Sequence, residues 1–459
     1  MTRTITSVIA GKPTDGAPGG TLSLDNPANL ADHVADVSLG DAITLVEGAR
    51  AAKAAQAGWA ATPAPARGRV IQQIGRIIEA NKHALARLVT REIGKPYPEA
   101  LGEVQEMVDT CDFFLGEGRR MYGQTVPSEM PDKQLFTFRR PVGSLVIITA
   151  GNFPVAVPSW YLVPALLCGN TVTWKPAEYA AASAQAVAEL FWAGGLPEGA
   201  LNLVLTDGAQ TFAGLEQGMQ AGVIDKVGFT GSVEVGRRIG ELAGRHLQSS
   251  CLELGGKNPL VVMPDADLDL AVEGSLFSGF GTAGQRCTSL GTVFVHESVH
   301  DDFLARFDAA TRAAAVGDPF ASVLYGPMIS QRFCDTFLPW LEEIKGHHTV
   351  HGSTGVGRIT ADNPREGFIG DPDAGIFCHP TIVDGITAED ELYKNETFGP
   401  LVGVGSFSDF DEAIALANGH GYGLSSSIYT TNPVNAFRFA ERISAGMTSV
   451  NNSTSGAEA

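Results

Sequence analysis

The cysteine at position 287 stands in GFGTAGQRCTSL, where a predicted helix gives way to three nearby glycines and a buried strand resumes after the thiol. A loop of that make-up can leave backbone N–H groups facing a reacting oxygen while it holds the thiol in place. A free thiol titrates near ~8.5, so a nucleophile also needs surroundings that stabilise the thiolate. The alternative is a buried, inert cysteine. Glu253 in CLELGGKNP ends a strand at two glycines, an edge that commonly lines a cleft in α/β proteins. Its carboxylate could activate water as a general base, or be no more than a solvated or ion-paired strand end. Asn152 in TAGNFPV follows a buried strand, and its amide could face the same cleft as an oxyanion donor or simply serve the turn.

Two further groups suit a phosphate-bearing cofactor. FTGSVEVGRR puts Gly231 and Ser232 where a strand passes into a helix, which aims unpaired helix N–H groups at a pyrophosphate, although the segment is not a GxGxxG fingerprint. In WKPAE, Lys175 and Glu178 follow another buried strand and can hydrogen-bond ribose hydroxyls, or else form a surface ion pair. HESVH, from His296 to His300, fits a zinc-protease pattern but straddles a strand exit, with Glu297 or Ser298 placed to cap the next helix. DADLD, from Asp265 to Asp269, resembles the start of a calcium loop, yet Leu270 stands where glycine is required and helix capping explains it better. No metal site is expected.

The elements that must carry these residues follow from periodicity. From about Ser38 to Tyr122 apolar residues recur at three- and four-residue spacing, predicting helices broken at Pro63, Pro65 and Pro96. QLFTFRRPVG alternates as a strand with one exposed face would, and SLVIITAG is a continuous apolar run typical of a strand buried on both faces of a parallel sheet. Strand and helix then repeat: TVTWKP before AASAQAVAELFWAGG, LNLVLT before GAQTFAGLEQGM, KVGFTG before SVEVGRRIGELAGR. A second α/β region runs from CLELGGKNPLVVM to Val450.

The 459 residues carry 32 Lys plus Arg against 51 Asp plus Glu, and the net charge of -19 argues against nucleic-acid or anionic-membrane partners, which need clustered positive charge. The first twenty residues lack the apolar core of a signal or anchor, and the most apolar stretch, Pro154 to Cys168, is short and interrupted by prolines. Six cysteines separated by 36 residues or more suggest no zinc knuckle or redox couple, so reduced thiols in a cytoplasmic protein are the expectation.

Taken in order, GNFP, WKPAE, FTGSVEVG, ELGGK, GQRC and ETFGP resemble the aldehyde dehydrogenase superfamily from about residue 30 to residue 450. The resemblance implies an aldehyde dehydrogenase-like α/β fold with two doubly wound domains and a small β oligomerisation element. Residues 1–122 and 142–253 would bind NAD(P), 254–448 would be catalytic, and 123–141 with 449–459 would form the oligomerisation element. It makes Cys287 the nucleophile, Glu253 the base, and the Asn152 side chain with the Cys287 backbone N–H the oxyanion hole. Cofactor contacts would come from Thr149, Lys175, Glu178, Gly208, Gly231, Ser232, Gly236, Glu396 and Phe398, and substrate contacts from Phe153 and Trp160. The implied reaction oxidises an aldehyde to an acid through a thiohemiacetal and a hydrolysed thioester. The glutamate of ELGGK points to the hydrolytic rather than the coenzyme A-acylating branch. NAD is favoured because the Glu178 carboxylate repels a 2'-phosphate, with NADP as the second candidate. A catalytically silent relative that only binds cofactor or joins an assembly is the alternative. Arg286, beside the nucleophile, is a candidate anchor for an acidic semialdehyde. Two features depart from the family pattern. TAGN replaces the usual Pro-Trp before the asparagine, and the chain ends at NNSTSGAEA where a Pro-Phe-Gly-Gly loop and a last strand usually follow. The expectation is a C-terminally short sequence that forms a homodimer or homotetramer only if that strand is present, with the hairpin near Gln134 to Arg140 lacking its partner.

Overall fold

The structure is a computed structural model and describes residues 4–455; of the expected oligomerisation element, positions 456–459 lie outside the described residues. The chain forms two compact units. The first takes the chain through Asp25, His33–Glu92 and Pro98–Glu253; the second takes Asn26–Asp32, Ile93–Tyr97 and the described chain from Leu254 onward.

The expected helices are α1 (Ala42–Ala61), α2 (Ala64–Ala80), α3 (Lys82–Ile93) and α4 (Tyr97–Arg120). Asp41 starts α1 through a reciprocal box, its carboxylate accepting the Thr44 N–H at 3.0 Å while its own N–H donates to the Thr44 hydroxyl at 3.2 Å. Pro63 and Pro65 sit at the start of α2, and Pro96 precedes α4, where a missing N–H costs nothing.

The first unit is built on strands β1 (Ser144–Thr149), β2 (Thr171–Pro176), β3 (Leu201–Leu203), β4 (Lys226–Gly231) and β5 (Ser250–Leu254), in the order β5-β4-β1-β2-β3. The sheet continues beyond β3 into two short N-terminal strands, Val8–Ile9 and Lys12–Pro13. Pairing is parallel between β1 and β2, β1 and β4, and β2 and β3, and every position of β1 and β2 is buried, as a continuous apolar run requires. Helices α5 (Ala156–Leu167), α6 (Ala181–Ala193), α7 (Gly208–Gln220) and α8 (Val233–Arg245) follow β1 to β4 in turn. The chain steps outward from β1 to β3 and returns on the other side of β1 with β4. The strand order therefore reverses between β1 and β4, which opens a crevice at their carboxyl ends.

The second unit holds β6 (Asn258–Val262), β7 (Leu290–His296), β8 (Thr349–His351), β9 (Thr381–Asp384), β10 (Leu401–Phe407), β11 (Ser425–Tyr429) and β12 (Met447–Val450), in the order β8-β9-β10-β7-β6-β11-β12. Only β8 among them runs antiparallel to its neighbour. Its helices include α9 (Leu268–Phe280), α10 (His300–Ala313), α11 (Gln331–Phe337) and α12 (Glu391–Lys394). Phe280, Phe294, Phe303, Phe307 and Phe337 are fully enclosed in its core, each contributing about 1.5–3 kcal/mol by burial.

Three readings of the sequence need correcting. QLFTFRRPVG is not a continuous strand: only Leu135–Phe136 pairs, with Thr125–Val126, and residues 131–140 are exposed throughout, so the alternation marks no buried face. LNLVLT contributes just three strand residues. Residues 20–39, unassigned from the sequence, form Gly20–Asn26 and Asn29–Leu39 of a separate three-stranded sheet. Neither Glu297 nor Ser298 caps α10, whose N-cap is Val299 without a side-chain bond; the Ser298 hydroxyl instead meets His296 Nδ1 at 2.8 Å. His300 Nε2 faces Asp384 at 2.9 Å, so the two histidines of HESVH serve different partners. Asp267 does cap α9, accepting the N–H groups of Asp269 and Leu270. No helix among the described residues is long and apolar enough to cross a membrane.

Candidate active site

In the first unit, Asn152 lies just past the carboxyl end of β1, buried, in a turn pinned on both sides by side chains the sequence reading missed. Before it, the Gly151 N–H donates to the Tyr179 hydroxyl at 3.1 Å. After it, the N–H groups of Val155 and Ala156 both donate to Glu103 Oε1, at 2.6 and 3.1 Å. Val155 has no side chain to cap α5, so the buried Glu103 carboxylate of α4 supplies the cap and matches the positive end of the helix. No local signal could have found this, because Glu103 and Val155 are 52 residues apart.

The expected cofactor residues of this unit lie at or just past the carboxyl ends of the same sheet. Lys175 lies one residue from the end of β2 and its ammonium meets Glu178 at 3.0 Å, both side chains largely buried. Gly231 ends β4, where an added Cβ would come within 2.5 Å of the Phe229 ring. Ser232 caps α8 through the Val235 N–H at 3.4 Å, and Gly236 is buried one turn into that helix. Gly208 opens α7 with open space around its Cα, beside the N-cap Asp207. The Thr149 hydroxyl is occupied inside the fold, accepting the Trp174 indole N–H at 2.9 Å. Trp160 is exposed on α5 and donates to Glu106 at 3.0 Å; Phe153 is partly buried. Glu253 occupies an exposed position of β5, yet its surroundings shield the carboxyl enough that burial raises its pKa above the ordinary carboxylate value.

In the second unit, Cys287 follows α9 and a backward turn in which Thr282, Ala283 and Gly284 all take left-handed angles (φ 51, 54 and 70). For threonine and alanine that conformation costs about 1–3 kcal/mol each, and a network holds it. The Gln285 amide donates to the Thr282 carbonyl at 3.0 Å and accepts the Ile329 N–H at 3.0 Å. Asn258 Nδ2 donates to the carbonyls of Cys287 at 2.8 Å and Ser289 at 2.7 Å, while its Oδ1 accepts the Ser425 N–H. The thiol is thus presented, half-buried, on a loop braced from β6 and from the segment at Ile329. Arg286 turns inward: it is buried, its Nε donates to the Thr282 hydroxyl at 3.3 Å and its guanidinium lies 4.5 Å over the Phe277 ring, so its charge serves the loop.

ETFGP packs on the same unit's glycines. The Glu396 carboxyl lies over Gly255, where an added Cβ would meet Oε2 at 2.0 Å, and accepts the Gly256 N–H at 3.2 Å. Burial pushes its pKa up to about 7, against the opposing pull of that N–H and of Lys257. Phe398 takes a left-handed φ of 47 and its ring meets Phe333 of α11 at 6.0 Å; a Cβ on Gly284 would strike the Gly399 carbonyl at 2.2 Å. Three of the other five thiols are poor competitors for nucleophile. Burial pushes Cys111 up to about 12 and raises Cys168, and a hydrogen bond with Cys334, 3.7 Å away, raises Cys378.

The aldehyde dehydrogenase family model matches residues 15–459. The chain belongs to the aldehyde dehydrogenase family. Its reaction is the oxidation of an aldehyde. It is 34% identical to an alpha-ketoglutarate semialdehyde dehydrogenase of Haloferax volcanii, over 100% of this chain and 92% of the relative. It is 37% identical to an alpha-aminoadipic semialdehyde dehydrogenase of Bos taurus, over 96% and 80% respectively. Among solved structures, a point mutant of betaine aldehyde dehydrogenase from Staphylococcus aureus, in complex with NAD+ and with a BME-modified cysteine, superposes with a TM-score of 0.92 at 28% identity, covering 98% of this chain and 90% of that one. An NAD-dependent aldehyde dehydrogenase from Sinorhizobium meliloti gives 0.92 at 30% identity, covering 100% and 88%. The expected family and α/β fold are borne out.

Within this family the TAGN departure has a local explanation. A Cβ on Gly151 would meet the Tyr179 ring at 2.5 Å and the methyls of Ala180 and Ala177 at 2.9 and 3.0 Å. The Tyr179 ring therefore occupies the space that a side chain at 151 would need. Gly151→Ala should destabilise the enzyme by about 1–3 kcal/mol through overpacking, read as a lowered midpoint in denaturant unfolding. A midpoint equal to that of the wild type would show that the turn has slack.

Proposed function

We propose that Cys287 attacks the aldehyde carbon and that Glu253 activates the water releasing the acid, with Asn152 and the Cys287 backbone N–H stabilising the oxyanion. The observation that carries this reading is the presentation of Cys287 alone among the six thiols at the end of a strained, heavily braced turn. The modified cysteine in the Staphylococcus aureus relative lends support.

The residues fit a dinucleotide. A crevice at the β1/β4 strand-order reversal, a close-packed glycine at the end of β4, a helix start at Ser232 and the Lys175–Glu178 pair suit pyrophosphate and ribose. Glu396 and Phe398 would hold the nicotinamide half. The Glu178 carboxylate disfavours a 2'-phosphate, which favours NAD, while the Lys175 ammonium offsets that repulsion and keeps NADP as the second candidate.

The thiolate adds to the carbonyl, forming a C–S bond and a thiohemiacetal oxyanion, whose charge the Asn152 amide and the Cys287 N–H receive. A bound oxidised nicotinamide supplies the acceptor for the hydride that leaves this carbon, and a thioester remains on Cys287. Glu253 takes a proton from water, the hydroxyl adds to the thioester carbon, and the C–S bond breaks to give the acid and the regenerated thiolate. Because burial raises the Glu253 pKa, acid release should slow on acidification earlier than an ordinary carboxylate would dictate. Asn152→Ala should lower kcat by about a hundred- to a thousandfold with little change in cofactor affinity; steady-state rates within a factor of about three of wild type would remove Asn152 from this role.

The substrate class to test first is a carboxylated aldehyde, in keeping with the two semialdehyde dehydrogenase relatives, and its anchor is a residue other than the inward-turned Arg286. The first unit would serve as the cofactor domain and the second as the catalytic one. The exposed Phe136, Phe138 and Val142 beside the Thr125–Val126 hairpin would join copies into a homodimer or homotetramer. The acidic chain with six unpaired cysteines suits the cytoplasm.

A further inference from the structure

Lys257, in the ELGGK segment, is enclosed, and among the described residues its ammonium has no hydrogen-bond partner. Its stem is clamped, since an added Cβ on Gly291 would come within 2.5 Å of Lys257 Cδ. A buried, unpaired ammonium is expensive and is kept only where a neighbouring charge compensates it. The acid beside it is Glu396, whose carboxyl accepts the N–H of Gly256, the residue before Lys257. Lys257, Glu396, Gly256 and Thr397 line a common cavity of about 10 Å³, room for about one water. The other titratable neighbour, His420, accepts the Tyr422 N–H at Nδ1, and burial together with Lys257 holds its pKa down at about 4, so it brings no charge near neutrality.

We propose that Lys257 is a positioning residue for Glu396: its enclosed ammonium keeps the Glu396 carboxyl ionised and seated on Gly255 and Gly256, ready to accept hydrogen bonds from a diol. This rests on the reading that Glu396 holds the nicotinamide ribose. A neutral glutamic acid can offer one oxygen as acceptor but would turn its O–H on the ligand or on the Gly256 N–H; an anion offers both oxygens. The sign of the pH dependence follows. Glu396 titrates at about 7 with Lys257 charged, so cofactor binding strengthens as pH rises through that region. Removing the lysine's charge raises the carboxyl further and moves the rise to higher pH. Lys257 itself is pulled down to about 8 by burial, so above that pH the wild type and a neutral variant should converge.

The test is fluorescence titration with NADH between about pH 6 and about pH 9, using wild type, Lys257→Met, Lys257→Arg and Glu396→Gln, with unfolding curves for each. At about neutral pH Lys257→Met should bind NADH about fivefold more weakly, with the pH midpoint raised by about one unit. Lys257→Arg should restore the wild-type midpoint, and Glu396→Gln should bind weakly with no midpoint. Should Lys257→Met fail to fold, Lys257→Gln takes its place as the neutral variant. Wild-type affinity and midpoint in the neutral variant, together with a weakened Glu396→Gln, would overturn the role of Lys257 alone. Wild-type binding by Glu396→Gln would instead overturn the ribose contact itself.

Discussion

Cys287→Ala should bind the cofactor with unchanged affinity and lose aldehyde oxidation by about 10⁴-fold or more. The substitution removes the sulfur that forms the new bond and keeps the hydrogen bonds that brace the turn. The bonds bracing the turn use the Cys287 carbonyl, the Gln285 amide and the Asn258 side chain, all of which the alanine variant keeps. Unfolding curves should therefore overlay those of the wild type. No other described thiol can substitute from inside the same loop, and Cys111 is held up to about 12 by burial. Retention of a tenth or more of wild-type turnover would mean that the reaction runs without this thiol.

Glu253→Gln should separate the two halves of the reaction. Oxidation of the first aldehyde equivalent needs no base at 253, so reduced cofactor should appear as a burst of about one equivalent per site. Turnover afterwards should fall by about 10²- to 10⁴-fold, the usual contribution of a positioned general base. In the wild type the slow step should weaken as pH falls through the raised pKa of Glu253; the glutamine variant should lack that limb, because it has nothing to titrate. A loss of the burst together with the steady state would place Glu253 before the oxidation.

Much of the scaffold was legible because its signals are local. SLVIIT and TVTWKP are apolar at every position and became the fully buried strands β1 and β2. Proline breaks and Asp267 capping could likewise be read within a few residues. The six motifs also named the residues that now sit at strand ends and turns. What could not be read is what brings distant segments together. Glu103 caps a helix 52 positions away, Asn258 reaches 29 positions to Cys287, and Cys334 meets Cys378 across 44 positions of unremarkable sequence. The left-handed turn at Thr282 and Ala283 was hidden as well, because neither residue type advertises that conformation and only packing around them enforces it. Residues 131–140 show the opposite failure, a period with no buried face behind it.

The most direct measurement is mass spectrometry of Glu253→Gln, mixed with aldehyde and oxidised cofactor and quenched after the burst. One acyl group in thioester linkage is expected on the peptide that carries Cys287, removed by hydroxylamine. An unmodified Cys287 peptide despite a full burst, or the acyl group on the peptide of Cys251 or another cysteine, would contradict Cys287 as the nucleophile.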